Sequence, residues 1–172
     1  GVVPRLDRPV WGLVIFAKTS KALSRLNDMF RNGQVRKTYR ALTRNMPQPP
    51  QGRIVSYITT TERNNKSYSW PEPRAGAKEA ALSYRHIGSS DRYHLLEINL
   101  ETGRKHQIRV QLASIGCPIR GDLKYGDRRS NPDGSISLQA FRIEFKHPVS
   151  HKNICITAPL PDDRLWQAFN AE

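Results

Sequence analysis

Three short segments of the sequence carry the residues that could do chemistry, and each one combines a reactive or aromatic group with basic neighbours. The first is Arg5-Leu6-Asp7-Arg8-Pro9, where a carboxylate lies between two arginines just before an apolar stretch. Opposite charges within a few ångströms favour the ionised form of a carboxylate, so Asp7 is a candidate for a reactive group. Taken by itself, the segment favours a simpler interpretation, an ion pair in a surface loop.

The second segment is Lys37-Thr38-Tyr39-Arg40-Ala41. A tyrosine on a strand between basic residues could offer its ring to a nucleobase while the cations hold phosphate. The alternative is that Tyr39 belongs to the hydrophobic core.

The third segment is Thr102-Gly103-Arg104-Lys105-His106-Gln107-Ile108-Arg109, which passes from the end of a strand to the start of a helix. Helix N-termini favour anions, so this segment could bind phosphate or carboxylate. A capped helix start with solvated charges explains the same residues. His106 has no cysteine, second histidine or carboxylate at ligand spacing, so no metal site is predicted. No Ser/His/Asp or Cys/His nucleophilic arrangement can be assembled from recognisable motifs.

The charge balance indicates the class of partner. The 172 residues include 28 Lys and Arg against 15 Asp and Glu, a formal charge of +13. A polyanion is the expected partner, because each phosphate contact releases condensed counterions. An anionic membrane surface is less favoured, since the sequence has no basic amphipathic helix with a broad apolar face. Cys117 and Cys155 form no metal or redox motif and suit a reducing cytosol.

Hydrophobic patterning predicts the elements that must position these segments. The apolar run 11–17 predicts a buried strand, and Thr19 or Ser20 caps a helix that runs to Phe30. Polar, proline-containing residues 61–78 predict a long mobile loop. Further strands are predicted at 37–43, 54–60, 80–87, 93–100, 138–145 and 153–157, and helices at 106–115 and 162–169. Runs of strands with few helices favour an α+β fold with a mostly antiparallel mixed sheet and flanking helices and loops.

In this order, the segments resemble the RluA-like family of RNA pseudouridine synthases. The motifs that carry the resemblance are Pro4-Arg5-Leu6-Asp7-Arg8-Pro9 with the strand that ends in Ala17-Lys18-Thr19, Lys37-Thr38-Tyr39-Arg40-Ala41, Thr102 to Arg109, Gly121-Asp122-Leu123-Lys124-Tyr125-Gly126, His147-Pro148 and Ala158-Pro159-Leu160-Pro161. The sequence departs from the family pattern at Pro4 and Gln139, where histidine is usual, and at Val10-Trp11, where a small hydroxyl pair is usual.

The resemblance implies a fold and a reaction. Residues 1–172 would form a single pseudouridine synthase catalytic domain, a fragment of a longer chain that lacks the family's upstream strands. The enzyme would isomerise uridine in ribosomal or transfer RNA by breaking the N-glycosidic bond and rejoining the base through carbon. The target nucleotide would be flipped out of its stack. No cofactor or metal is expected, and the partner would be structured RNA, bound by a cytoplasmic monomer.

The resemblance also implies roles for individual residues. Asp7 would be the catalytic carboxylate, Arg104 would pair with it, and Tyr39 would pack on the target base. For binding the RNA, the expected residues are Arg5, which would help hold the flipped nucleotide, Ile108 as an apolar wall, and Lys37, Lys105 and Arg109 as contacts to the backbone.

Two other functions are compatible with parts of the sequence. One is a non-catalytic RNA-binding or ribosome-assembly module on the same fold, which explains the basic charge equally well. Asp7 discriminates against it, because a pure binder has no reason to keep a carboxylate in a positive cleft. The other is a glycosidic-bond hydrolase. Such an enzyme usually positions water with additional carboxylates, and no paired acid motif lies near Asp7 in the sequence.

Overall fold

The computed structural model describes residues 1–3 and 6–169. In chain order the strands are β1 (Val2–Val3), β2 (Trp11–Gly12), β3 (Ile15–Phe16), β4 (Arg36–Thr43), β5 (Gln51–Thr61), β6 (Lys66–Trp70), β7 (Lys78–Ser89), β8 (His94–Leu100), β9 (Leu138–Lys146) and β10 (Asn153–Thr157). The helices are α1 (Ser20–Arg31), α2 (Gln107–Ser114) and α3 (Arg164–Gln167), with a 3-10 turn at Leu123–Tyr125.

One eight-stranded sheet organises the described residues, with the strand order β10-β9-β4-β8-β7-β5-β6. Every neighbouring pair along that path is antiparallel, and β2 adds a short parallel pairing to β9. The predicted α+β class with a mostly antiparallel sheet is therefore confirmed. Strand β4 lies inside the sheet between β8 and β9, so the Tyr39 segment has a rigid support on both sides.

Helix α1 forms where the sequence predicts it. The Thr19 side-chain oxygen accepts a hydrogen bond from the Ala22 N–H at 3.1 Å, which satisfies one of the first-turn donors. The chain leaves the helix through Asn32 and then Gly33, whose φ of 69° suits a residue without a side chain. Leu26 is buried on the apolar face.

The apolar run 11–17 is not one buried strand. It is split between β2 and β3, which belong to different sheets, and the side chains of Trp11 and Phe16 are 39% and 69% exposed. Gly12 explains the break, because its φ of 118° turns the chain, and a Cβ there would lie 2.3 Å from the Ala140 carbonyl oxygen. Only glycine allows so close an approach of two backbones.

The prediction of one long loop over residues 61–78 is also wrong for Lys66–Trp70, which form a strand. Strand β6 pairs with β5 in a hairpin, and the Trp70 indole N–H donates to Thr59 Oγ1 at 2.9 Å. The polar side chains misled the prediction. Ser67, for example, is almost fully buried. Its N–H can be buried because it donates a hydrogen bond to the Tyr125 hydroxyl at 2.9 Å.

The core lies on both faces of the sheet. Ala41 packs in a cluster with Ile108 and Leu112 of α2, whereas its neighbour Leu42 packs with Trp166 of α3. Adjacent strand residues point to opposite faces, so α2 and α3 cover the two sides. The late helix is shorter than predicted, with four residues in α3. Within the described residues, no helix has the length and apolar character needed to cross a membrane.

Candidate active site

A cleft of about 170 Å³ opens where the N-terminal end of α2 faces β4 and the chain segment before β2. Among the residues predicted for the site, the ones that line this cleft are Asp7, Lys37, Tyr39, Arg104, Lys105, Ile108 and Arg109. Arg5 lies outside the described residues. The other described lining residues are Leu6, Val10, Leu100, Gly103, His106, Gln107 and Leu138. The fold therefore brings three segments that are distant in sequence to one place.

Asp7 lies in the cleft on a turn closed by a hydrogen bond from the Val10 N–H to the Asp7 carbonyl oxygen, at 2.9 Å. Its side chain is 34% exposed, so it can be reached from solvent. Two basic side chains lie close to Asp7 Oδ2, with His106 Nε2 at 3.8 Å and Arg109 Nη1 at 3.9 Å. At these distances neither group is hydrogen-bonded to the carboxylate, and the charge of Arg109 attracts it.

Arg109 is held rigidly. Its Nε and Nη2 donate to the two carboxylate oxygens of Asp122, each at 2.8 Å, and both side chains are buried. Burial disfavours the charged guanidinium, but the hydrogen bonds and charge of Asp122, together with Asp7, raise the pKa of Arg109 above its ordinary value. A permanent positive charge is therefore fixed beside Asp7, because a bidentate pair sets both the position and the orientation of the guanidinium.

The predicted pair between Arg104 and Asp7 is wrong. Arg104 lines the cleft, but its Nε donates to the Glu79 carbonyl oxygen at 2.9 Å. Its backbone N–H donates to the Gln107 side chain, so Arg104 lies between β8 and α2, with its side chain directed toward β7 and not toward Asp7. The basic residue near Asp7 is Arg109, in the first turn of α2. No local signal in the sequence points to it, because the contact depends on the left-handed conformation of His106 just before α2.

The same geometry corrects the predicted role of Arg109 as a backbone contact. Its side chain is 7% exposed and is bound on one edge by Asp122. Little of the guanidinium is left to meet a phosphate from solution. This geometry favours contact of Arg109 with Asp7 over contact with a phosphate from solution.

His106 is a residue of the cleft for which the sequence predicted no function. It has a φ of 56°, a left-handed conformation that is uncommon for a residue with a side chain, and it directly precedes α2. His106 Nδ1 and the Tyr125 hydroxyl lie 2.6 Å apart in a hydrogen bond. Ser67 links this pair to the β6 hairpin, since its N–H donates to the Tyr125 hydroxyl and its own hydroxyl donates to the Lys105 carbonyl.

The protonation of His106 follows from its surroundings. Burial lowers the pKa of His106, and the positive charges of Arg109, Lys124 and Lys105 lower it too, whereas Asp7 opposes them. The imidazole is therefore neutral at pH 7. The carboxylate on the Nε2 side favours the tautomer with its proton on Nε2, and the Tyr125 hydroxyl can then donate to Nδ1.

Tyr39 is half-buried on β4, lines the cleft and packs against the core cluster around Ile108. Burial and the charge of Asp7 raise the pKa of Tyr39 to about 12, so its hydroxyl stays protonated at neutral pH. The sequence left two interpretations of Tyr39, a core residue or a cleft residue. Each describes part of its environment in the structure. Ile108 is buried and has the same double position, in the core cluster and in the cleft wall.

Two lysines complete the rim. Lys37 is half-buried, and burial lowers its pKa, while Lys105 is exposed. Asp7 is the one carboxylate among the described residues that line the cleft, and no group of described side chains has the arrangement of a metal site. The cleft thus offers one carboxylate between fixed positive and neutral donors, with an aromatic hydroxyl beside it. Such a site can stabilise charge and position a substrate group.

Sequence comparison places the chain in a known family. Residues 1–114 match the family model described as RNA pseudouridylate synthase. The chain is 39% identical over 165 residues to an uncharacterized RNA pseudouridine synthase of Chloroflexus aurantiacus, covering 95% of this chain and 51% of that protein. It is 30% identical to tRNA pseudouridine synthase C of Vibrio cholerae, covering 98% and 75% of the two chains. It is 31% identical to ribosomal large subunit pseudouridine synthase D of Zymomonas mobilis, covering 95% and 53%.

Structural comparison gives the same result. The solved structure of human RNA Pseudouridylate Synthase Domain Containing 4 superposes with a TM-score of 0.78 at 25% identity, over 96% of this chain and 72% of that one. The chain spans about half the length of several of the curated relatives it matches. The predicted fold, with its mixed sheet and few helices, is that of a pseudouridine synthase domain. The chain belongs to the RluA-like family of RNA pseudouridylate synthases.

Proposed function

We propose that this chain carries the catalytic site of an enzyme that isomerises specific uridines to pseudouridine in transfer or ribosomal RNA. The observation that carries the proposal is the position of Asp7. It is the one carboxylate among the described cleft residues, and it lies within 4 Å of a buried arginine and a buried histidine. A protein that only bound RNA would gain nothing from a carboxylate held in a positive cleft, since the charge repels phosphate.

The proposed reaction breaks the bond between the ribose C1′ and the uracil N1, turns the uracil within the cleft and forms a bond from C1′ to C5. The hydrogen on C5 leaves as a proton and N1 gains a proton, so the product is an isomer of the substrate and no redox partner or group donor is consumed. Asp7 acts on the ribose or on the ring to make the first bond break. Arg109 and His106 hold the carboxylate in place, which is the preorganisation that such a charge rearrangement needs.

The remaining cleft residues bind the nucleotide. The Tyr39 ring, supported by β4, packs on the uracil, and its protonated hydroxyl is available to donate a hydrogen bond. Ile108 provides an apolar wall, and Lys37 and Lys105 on the rim meet the RNA backbone. Arg104 also lines the cleft and is proposed to face the RNA. We propose that Arg5, which lies outside the described residues, holds the space left by the flipped nucleotide.

Relatives named for transfer RNA and for ribosomal RNA both match the chain, so structured RNA of either class is the proposed substrate. We propose that the protein acts as a cytoplasmic monomer. The two unpaired cysteines, Cys117 and Cys155, fit a reducing compartment.

The test uses RNA transcripts made with uridine that carries tritium on C5. Isomerisation displaces this hydrogen, so each turnover releases tritium to water. We expect the protein, without added metal or cofactor, to release tritium from a transfer RNA pool or from ribosomal RNA transcripts. Binding without release in both substrate classes would contradict the proposal and favour a non-catalytic RNA-binding module.

A further inference from the structure

A second cleft, of about 540 Å³, lies at the end of the sheet where β4 ends and β8 begins. We call it the arginine cleft. Its lining residues are Arg44, Arg92, Tyr93, Arg120, Asp127, Arg129, Ser130 and Asn131. Four arginines and one aspartate line one concave place, so the lining carries a net positive charge, which Asp163 beside Arg120 reduces. None of these residues lines the cleft of Asp7.

The floor of the arginine cleft is built from fixed side chains. Arg120 is 11% exposed, donates to Ser137 Oγ at 3.1 Å, and lies 3.7 Å from Asp163. Asn131 is buried and donates to the same Ser137 oxygen at 3.2 Å. Asp127 accepts the Gly121 N–H at 2.6 Å. These bonds hold the floor in one geometry, which distinguishes the cleft from a patch of solvated arginines.

The rim has two cations, Arg92 and Arg129, that no described side chain neutralises, and a third, Arg44, that Asp127 neutralises in part. Arg92 and Arg129 are exposed, and within the described residues neither has a hydrogen bond or an ion pair. Arg44 is 42% exposed and lies 3.6 Å from Asp127, too far for a hydrogen bond. Tyr93 is half-buried between the arginines, with Arg120 located 5.5 Å over its ring. This combination suits nucleic acid, because guanidinium groups can bind its phosphates while the aromatic ring stacks on a base.

The two clefts are joined by one strand. Tyr39 in the catalytic cleft and Arg44 are five residues apart, and β4 ends just before Arg44. At the rise of an extended strand this is about 16 Å. This distance is small beside the dimensions of a folded RNA, so one RNA molecule is large enough to contact both clefts.

We propose that the arginine cleft is a second RNA-binding site, which holds backbone phosphates of the same RNA whose uridine enters the catalytic cleft. The proposal rests on the proposed function, because it takes the RNA substrate as the ligand. The arginine cleft would then contribute to the affinity for structured RNA without contacting the reacting atoms. An acidic protein segment would meet the same charges, but it would not use the Tyr93 ring as a base does.

The test is a double charge reversal, Arg92→Glu with Arg129→Glu. Neither side chain has a partner within the described residues, so the fold should tolerate the change. The matched control is Lys146→Glu with Lys152→Glu. These two exposed lysines flank the β9–β10 turn at the opposite end of the sheet and make the same change in net charge. The probe is an unmodified, fluorescently labelled transfer RNA transcript, and its binding is followed by anisotropy over a series of KCl concentrations.

If two phosphate contacts are lost, the slope of log affinity against log salt should fall by about 1.4 to 1.8 in the Arg92/Arg129 variant. The control should change the slope much less. An equal loss in the two variants, or wild-type binding by the Arg92/Arg129 variant, would overturn the proposal. The proposal would also be overturned if the arginine cleft bound an acidic peptide and did not bind RNA.

The readout is binding, so its failure is separate from a failure of the proposed isomerisation. A wild-type protein that binds the transcript and releases no tritium contradicts the proposed function alone. A neutral variant, Arg92→Gln with Arg129→Gln, gives a second measure. It should lose less affinity than the charge reversal, because it removes the contacts without adding repulsion.

Discussion

Replacing Arg109 by methionine should distinguish the contribution of Arg109 to turnover, through Asp7, from its contribution to the stability of the fold, through Asp122. The substitution leaves the carboxylate of Asp122, which is 1% exposed, without its bidentate partner. Removing one member of a buried ion pair costs about 3–5 kcal/mol, so the free energy of unfolding should fall by that amount. Urea denaturation followed by circular dichroism measures this change. Adding Asp122→Asn removes the unpaired charge and should restore a large part of the lost stability.

The effect on turnover has a different origin and should persist in the double variant. Arg109 Nη1 lies 3.9 Å from Asp7 Oδ2, which corresponds to about 4 kcal/mol of attraction at an effective dielectric constant of about 20. Because Asp7 is one-third exposed, solvent screens this pair, and about 1–2 kcal/mol is a realistic share. Since 1.36 kcal/mol is a factor of ten in rate, tritium release should slow about tenfold or somewhat more.

Arg104→Met is the matched control, because Arg104 lines the same cleft and donates to the Glu79 carbonyl instead of contacting Asp7. It should leave stability within about 1 kcal/mol of the wild type, as is usual for a side chain outside the core. Its turnover at saturating RNA should exceed that of the Arg109 variants. Near-normal turnover in Arg109→Met with Asp122→Asn, or an equal loss in Arg104→Met, would refute the assignment of Arg109 as the basic partner of Asp7.

Two further variants probe the groups beside Asp7. Tyr39→Phe should keep RNA affinity and slow tritium release if the hydroxyl takes part, whereas a normal rate would limit Tyr39 to packing. The raised pKa of Tyr39, about 12, also predicts stability that is present below pH 10 and lost as the pH rises toward 12, and the phenylalanine variant should lose less stability over that range. His106→Gln should lower stability by about 1–3 kcal/mol by disrupting the hydrogen bond to Tyr125. Because burial lowers the pKa of His106 below 6.5, wild-type stability should decline as the pH falls below 6.5, and the glutamine variant should show less of this decline in acid titrations of unfolding.

Much of the fold follows from local patterning. The helix that begins after Thr19 and the strands β4, β7, β8 and β9 form where apolar periodicity and caps predict them. The errors arise where tertiary contacts decide. Gly12 breaks an apolar run that reads as one strand, because the run must approach the backbone of Ala140. The polar β6 forms an edge strand whose one buried residue, Ser67, donates its N–H to the hydroxyl of Tyr125, far away in sequence.

The candidate site shows the same division. The residue types in the three segments indicate that Asp7, Tyr39 and the start of α2 belong together, and the fold brings them to one cleft. The choice between Arg104 and Arg109 depends on where the helix begins. The left-handed turn at His106 directs Arg109 toward Asp7, and that turn is held by Tyr125. Neither the contact between Arg109 and Asp7 nor the one between His106 and Tyr125 can be predicted from the local sequence.

Asp7→Asn with the tritium-release assay tests the central claim most directly. The substitution keeps the size of the side chain and removes the carboxylate charge beside Arg109 and His106. We predict a loss of tritium release of at least about a hundredfold, on the scale of removing an essential catalytic group. RNA affinity should stay within a few-fold of the wild type, and the folded state should be retained. An Asp7→Asn protein that still releases tritium at a rate near that of the wild type would contradict the account.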